Sequence, residues 1–149
     1  MTHLDPRAND QFKMLEDVRD LIRFGRTKTR NYDHKTGFFT EFHNINSKDF
    51  IIVNGLHSLY SDQLSKLYDI KIFISMDENL RRDLKIHRDV EIRGKDLEKT
   101  INEIERRGSD SEMYIAPQSQ KADISFEISR DNNDISVTSI NDNRNVLTI

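Results

Sequence analysis

The stretch from Leu80 to Gly94 reads Leu-Arg-Arg-Asp-Leu-Lys-Ile-His-Arg-Asp-Val-Glu-Ile-Arg-Gly and concentrates residue types that handle anions. At about 100° per residue on a helix, Arg81, Lys85 and Arg88 fall within about 60° of one another. Leu80, Leu84, Ile86 and Val90 cover the rest of the circumference and give the helix a core side. Like charges in one stripe repel, by roughly a few tenths of a kcal/mol per exposed pair. Such a stripe is therefore either a well-solvated helix face or a site for an anion such as a phosphate. Asp89 flanks it, and could align a basic neighbour, bind a metal or accept a proton. Spacing alone leaves both readings open, since a charge run is most often only a solvated face with a salt-bridge partner.

A second group is Tyr32-Asp33-His34, close to Gly37. Three hydrogen-bonding side chains there could line the pocket of a hydroxyl-rich ligand, or form an ordinary surface turn. The remaining histidines (His3, His43, His57, His87) show neither HExxH nor HxxxH spacing, which argues against a metal site of that kind. The five glycines, Gly25, Gly37, Gly55, Gly94 and Gly108, include no pair with the spacing of GxxxxGK[ST] or GxGxxG. A nucleotide handled by these 149 residues would thus lack the usual backbone cradle. No GxSxG elbow occurs, and the absence of cysteine excludes disulfides, thiolate metal sites and a Cys nucleophile within this sequence.

The elements that must carry these residues follow from pattern. Phe12, Leu15, Val18 and Ile22 recur at helical spacing across Asn9 to Phe24, and Gly25 stops that helix. A polar run, Arg26–Arg30, leads into a loop or short hairpin over residues 31–39. Phe50-Ile51-Ile52-Val53, ending at Asn54-Gly55, predicts a strand buried on both faces, and Ile70–Ile74 a second. Helices are expected over Asp62–Tyr68, over Asp77 to Val90, and from Lys95 to about Arg107 with continuation past Gly108 to Tyr114 and an end at Pro117. Ile124–Ile128 predicts a third strand. Ile135–Thr138 and Val146–Ile149 predict a terminal hairpin across a polar turn. Strands alternating with helices predict an α/β fold with a mostly parallel sheet and flanking helices. Ligands of such sheets sit beyond the carboxyl ends of the strands, where Asn54 and Ser75–Asp77 fall.

Composition sets the outer limits. Hydrophobic residues make up 35% and charged residues 33%, which is polar but globular, and the length suits a single domain over 1–149. The formal charge of -3, from 23 basic and 26 acidic residues, gives no general affinity for nucleic acid or anionic membrane. No apolar run approaches the ~20 residues of a membrane helix. The first residues have neither the basic nor the apolar part of a secretory leader, so a cytoplasmic protein is expected.

Several segments together resemble the phosphoribulokinase/uridine kinase family of P-loop kinases. They are Thr2-His3-Leu4-Asp5-Pro6-Arg7-Ala8-Asn9, Tyr32-Asp33-His34-Lys35-Thr36-Gly37, Ile51-Ile52-Val53-Asn54-Gly55-Leu56-His57-Ser58-Leu59-Tyr60, Lys85-Ile86-His87-Arg88-Asp89 with Arg93-Gly94, and Tyr114-Ile115-Ala116-Pro117-Gln118 with Lys121-Ala122-Asp123. The order is the family's and the span is residues 2 to about 128. The Tyr…His-Ser-Arg signature of nucleoside binding is missing, so the phosphoribulokinase branch fits better. The resemblance implies ATP-dependent phosphoryl transfer to a sugar hydroxyl, with ATP and Mg²⁺ taking part and a sugar phosphate or nucleoside as acceptor. It implies that Tyr32, His34, Lys85 and Arg88 contact substrate, that Arg88 and Arg93 hold nucleotide phosphates, and that Asp89 assists the reacting centre. Phosphoryl transfer does depend on cationic clamps where charge develops.

Two departures from the family pattern shape the expectation. The P-loop strand lies upstream of Thr2–Asn9 in the family, so the α/β domain is expected to lack its N-terminal P-loop strand while keeping a C-terminal β-hairpin. The strands on either side of the missing one would be left with unpaired backbone groups and exposed apolar faces. The remaining strands then close up, a second chain (a homo-oligomer) fills the gap, or the polypeptide is one piece of a larger protein. Asn54 stands where the family has Glu, and an amide lacks the charge that helps hold Mg²⁺. The expected function is a sugar-phosphate kinase domain inactive as this isolated chain. The alternative is a degenerate, non-catalytic module that binds a sugar phosphate, nucleoside or protein partner.

Overall fold

A computed structural model describes residues 2–33, 36–131 and 134–142. Pro6–Ala8 form one 3₁₀ turn, capped by Asp5. Helix α1, Gln11–Phe24, starts at Asp10, whose side chain accepts the Lys13 N–H, and stops at Gly25. Gly25 has φ 71°, a left-handed conformation that glycine adopts without a Cβ clash. The apolar stripe read from the sequence is real: Leu15 and Val18 pack with Leu64 as a small core, joined by Met14, Val53, Leu67 and Tyr68.

The polar run after Gly25 is a strand, which the sequence did not signal. β1, Arg26–Thr29, pairs antiparallel with β4, His43–Asn46. Only Thr27 is buried there, and its hydroxyl donates to Asp17 at 2.6 Å. With one inward side chain, no apolar alternation exists to read. Between these strands β2, Tyr32–Asp33, and β3, Phe38–Phe39, make the expected short hairpin.

Phe50–Val53 forms no strand, contrary to expectation. Phe50 is 86% and Ile52 88% exposed, while Val53 packs against the small core. A β-strand exists only against a ladder neighbour, and none of the described strands pairs with this run. The short helix α2, Asp62–Ser65, follows with Ser61 as its cap. The second expected strand is present as β5, Ile72–Met76, but it is not buried: Ile72 and Ile74 are half or more exposed.

Helix α3, Glu78–Ile86, is capped by Asp77 and continues without a break into a π-helical turn, His87–Ile92. Leu80 is its buried anchor, whereas Leu84, expected on the core side, lies at the surface. Helix α4, Leu97–Asp110, is capped by Asp96 and does pass Gly108, through a second π-helical turn at Ser111–Ile115. Pro117 does not end the helical path; it opens a 3₁₀ stretch, Ala116–Lys121, at a first-turn position where its missing N–H is harmless.

β6, Ile124–Asp131, lies parallel to β5, with Ile72 opposite Ile124 and Met76 opposite Ile128. β7, Asp134–Asp142, returns antiparallel along β6. The C-terminal hairpin is therefore β6–β7. Ile135–Thr138 lie within β7, which runs on to Asp142 through residues expected to turn; the expected pairing with Val146–Ile149 falls on residues outside the described ones. The fold is α/β, with the order β5-β6-β7 in a sheet that mixes one parallel and one antiparallel pair. β5 is an edge, and a cleft of about 1010 Å³ runs beside it, walled by Phe73–Met76, Leu56 and Ile115.

Candidate active site at the α3–α4 junction

The π-helical turn after α3 decides which charged groups meet. Widening the spiral gives the Arg93 N–H to Arg88 O (3.1 Å), five residues back. Gly94, at φ 67°, then reverses the chain so that the Lys95 N–H reaches Asp89 O at 2.8 Å. Lys85, Arg88, Arg93 and Lys95 are thereby wrapped around one carboxylate.

Asp89 is 0% exposed. Its Oδ2 accepts from Lys85 Nζ at 2.6 Å, and its Oδ1 from Arg88 Nε at 2.9 Å and Arg93 Nη1 at 3.3 Å. Lys95 Nζ stands 3.7 Å from Oδ2 and equally 3.7 Å from Glu103 Oε2 on α4. Burial by itself pushes the Asp89 carboxyl up, but the hydrogen bonds and charges of Lys85 and Arg88 hold it well below the usual carboxylate range. A carboxylate so placed is an anchor for cations and a poor proton acceptor at neutral pH. Lys85 is nearly covered, while Arg88, Arg93 and Lys95 are about half exposed. Each arginine gives a single N–H to Asp89 and has five to offer. Half-exposed guanidinium groups beside an excess of positive charge have the chemistry to hold an anion.

Four of the residues singled out from sequence, Lys85, Arg88, Asp89 and Arg93, thus converge. Arg81, placed in the same stripe by helical spacing, does not join them. It forks onto Glu78 through Nε (2.9 Å) and Nη2 (2.6 Å) and lines the cleft beside β5. Tyr32 belongs to another element, the β2–β3 hairpin, with its ring edge-on to Phe39 at 5.4 Å. His34 lies outside the described residues. Asn54 sits at the surface just past Val53, ahead of the turns that begin at Gly55. The amide gives an oxygen but no charge, and no three His, Cys, Asp or Glu side chains converge among the described residues.

Three features escaped the sequence reading. Lys95 joins the cluster only because Gly94 turns the chain back, and a left-handed glycine two residues before a helix cap is a weak signal. Asp5 is buried and receives Arg7 through both its backbone N–H (2.9 Å) and its Nε (2.9 Å). The Arg7 hydrogen bonds hold the Asp5 carboxyl down to about 2. The Asp-Pro-Arg order, a cap residue followed by a first-turn proline, was the available signal. Nearby, burial and then the charge of Arg107 lower the pKa of His3, with Glu103 opposing and Lys85 and Lys95 adding to the shift. Gln118 is the third. Its buried amide donates to Leu56 O and Tyr114 O, both at 2.8 Å, and accepts the Leu59 N–H at 3.1 Å. It ties the segment that follows Asn54 to the end of the α4 path.

The fold is α/β, with one buried carboxylate holding a cluster of cations, and comparison with known proteins gives the family. The model of the phosphoribulokinase/uridine kinase family matches residues 1–136, and the chain belongs to that family. Phosphoribulokinase of Synechocystis sp. is 30% identical over 128 residues, covering 86% of this chain and 39% of its own length. The chloroplastic phosphoribulokinase of Spinacia oleracea is 33% identical over 128 residues, covering 86% of this chain and 32% of its own. The solved structure of phosphoribulokinase from Rhodobacter spheroides superposes with a TM-score of 0.64 at 25% identity, covering 87% of this chain and 49% of that one. The chain thus spans well under half the length of these two curated relatives. No helix among the described residues is long and apolar enough to cross a membrane.

Proposed function

We propose that this chain is the phosphate-clamping part of a phosphoribulokinase-like sugar-phosphate kinase, its chemistry being ATP-dependent phosphoryl transfer to a sugar hydroxyl. One observation carries this reading: a buried Asp89 that holds Lys85, Arg88 and Arg93 in a fixed array with spare N–H donors. In such a transfer the protein mainly positions the groups and neutralises charge on the moving phosphoryl. Lys85, shielded and locked on Asp89, sets the local positive potential. Arg88 and Arg93 present planar forks to phosphate oxygens, Arg88 toward substrate and nucleotide alike, Arg93 toward nucleotide. Asp89 keeps them aimed, and its assistance to the reacting centre is through them. Tyr32, on the β2–β3 hairpin, and His34 contact the sugar phosphate.

The nucleotide cradle is supplied from outside these 149 residues, by further chain or by a partner, including a second copy. That β5 is an edge among the described strands, and that Phe50–Val53 pairs with none of them, supports this. The single domain over 1–149 is in this reading an incomplete one, and alone it does not turn over ATP. Asn54 favours a second reading, a non-catalytic module that keeps sugar-phosphate binding without transfer.

Thermal unfolding with ribulose 5-phosphate and with Mg-ATP, added separately, tests the proposal. A ligand at ~100 times its Kd stabilises by about 2.7 kcal/mol, a shift of several degrees for this size. We expect the shift with the sugar phosphate and no ADP release with both present. A shift with neither ligand, or only with Mg-ATP, rejects the clamp reading, and steady turnover by the isolated chain rejects the inactive one.

A further inference from the structure

Among the four cations around Asp89, Lys95 is bound differently from the other three. Lys85, Arg88 and Arg93 each donate a hydrogen bond to the carboxylate. Lys95 Nζ is 3.7 Å from Asp89 Oδ2 and 3.7 Å from Glu103 Oε2, outside hydrogen-bond range of both. Its backbone is nonetheless fixed, by the bond from its N–H to Asp89 O and by the Gly94 reversal. The head of a flexible side chain is therefore suspended between two acidic groups, on an anchored stem, at a half-exposed position. Glu103 meanwhile accepts Arg107 Nη2 at 3.2 Å, so it does not depend on Lys95 for a partner.

We propose that Lys95 is a transferable member of the anion clamp. It is parked between Asp89 and Glu103, and is drawn onto the phosphate group of a bound sugar phosphate. Glu103 is the parking carboxylate, and its charge competes with the ligand for the ammonium. This rests on the reading of the Asp89 cluster as a phosphate site and adds to it a specific residue pair. Because Lys95 makes no short bond to lose, moving it forfeits little, whereas Lys85 could not leave Asp89 without stranding a buried charge. Lysine suits the task, as a point charge on a four-carbon stem.

The two residues are expected to act with opposite signs, which a merely structural role would not produce. Calorimetric titration of the full chain with ribulose 5-phosphate and with inorganic phosphate reads this directly. Lys95→Gln weakens both probes by about tenfold, the scale of one charge-assisted hydrogen bond. Lys95→Arg restores binding to within about threefold of the parent. Glu103→Gln tightens both probes by about threefold, and that gain disappears in the Lys95→Gln background, which removes any contribution from a freed Arg107. The unfolding temperature of Lys95→Gln stays near that of the parent, as suits a half-exposed side chain. Unchanged affinity in Lys95→Gln, or a Glu103→Gln gain that survives it, overturns the role of Lys95 while leaving the clamp in place. Failure of the parent chain to bind either probe overturns the clamp reading and this inference with it.

Discussion

Replacing Asp89 by Asn removes one charge and almost no volume, so its effect isolates what the buried carboxylate does. At 2.6 Å the attraction to Lys85 Nζ is about 6 kcal/mol for an effective dielectric of ~20. That figure is an upper limit, because both groups were desolvated to reach each other. Removing the partner of a buried ion costs about 3–5 kcal/mol, and Lys85 is the cation that pays it, since its side chain is only 12% exposed. Arg88, Arg93 and Lys95 can turn to solvent and add no more than about 1 kcal/mol each. The expected loss is thus about 4 kcal/mol, or roughly 10 °C in unfolding temperature for a domain of this size.

A companion substitution gives the sharper check. Lys85→Met in the Asp89→Asn background removes the stranded charge and leaves a stem of similar shape, so the double variant is expected to recover more than half of the loss. The acid dependence follows with a definite sign. The folded-state pKa of Asp89 lies below its unfolded value, so its contribution is fully present above the ordinary carboxylate range and is lost only as the pH falls toward strongly acid values. Asp89→Asn lacks that part of the acid limb. Urea unfolding of the parent, Asp89→Asn, Lys85→Met and the double variant, at pH 7 and again near pH 3, measures all of this. Equal stability of Asp89→Asn and parent, or a double variant no more stable than Asp89→Asn, would refute the account of Asp89 as the electrostatic anchor.

Two further predictions concern the frame around the site. Gln118→Leu leaves the Leu59 N–H and the Leu56 and Tyr114 carbonyls without their partner, and is expected to cost about 2–4 kcal/mol by urea midpoint at unchanged slope. No change in midpoint would show that water replaces the amide. Asp5, with its pKa held at about 2, contributes stability above its unfolded value of 3.8 that disappears as the pH drops from about 4 to 2. Asp5→Asn should flatten the unfolding-temperature curve across that window, and an unaltered curve would remove Arg7 from the account.

What the sequence determined by itself was local. The 3.6-residue period placed Leu15 and Val18 inward on α1, Gly25 ended it, and Lys85, Arg88 and Asp89 fell on one stretch of helix. The motif order identified the family. These features are legible because helix geometry links residues only three to five positions apart. Even there one local rule was available and unused: Glu78 lies three residues before Arg81 and captures its guanidinium, taking it out of the stripe.

Tertiary structure decided the rest. Phe50–Val53 has every intrinsic mark of a strand and is not one, because strand formation is settled by a neighbour's backbone and not by the run itself. Arg26–Thr29 is the converse, a polar run made into a strand by pairing with His43–Asn46. Ile135–Thr138 became part of a longer strand, β7, because its neighbour β6 offers a ladder from Ile124 to Asp131. At the site, periodicity predicted a stripe of repelling charges. The π-helical turn and the reversal at Gly94 converted it into a ring of cations around one carboxylate, since burial of Asp89 supplies the counter-charge that a solvated helix face lacks.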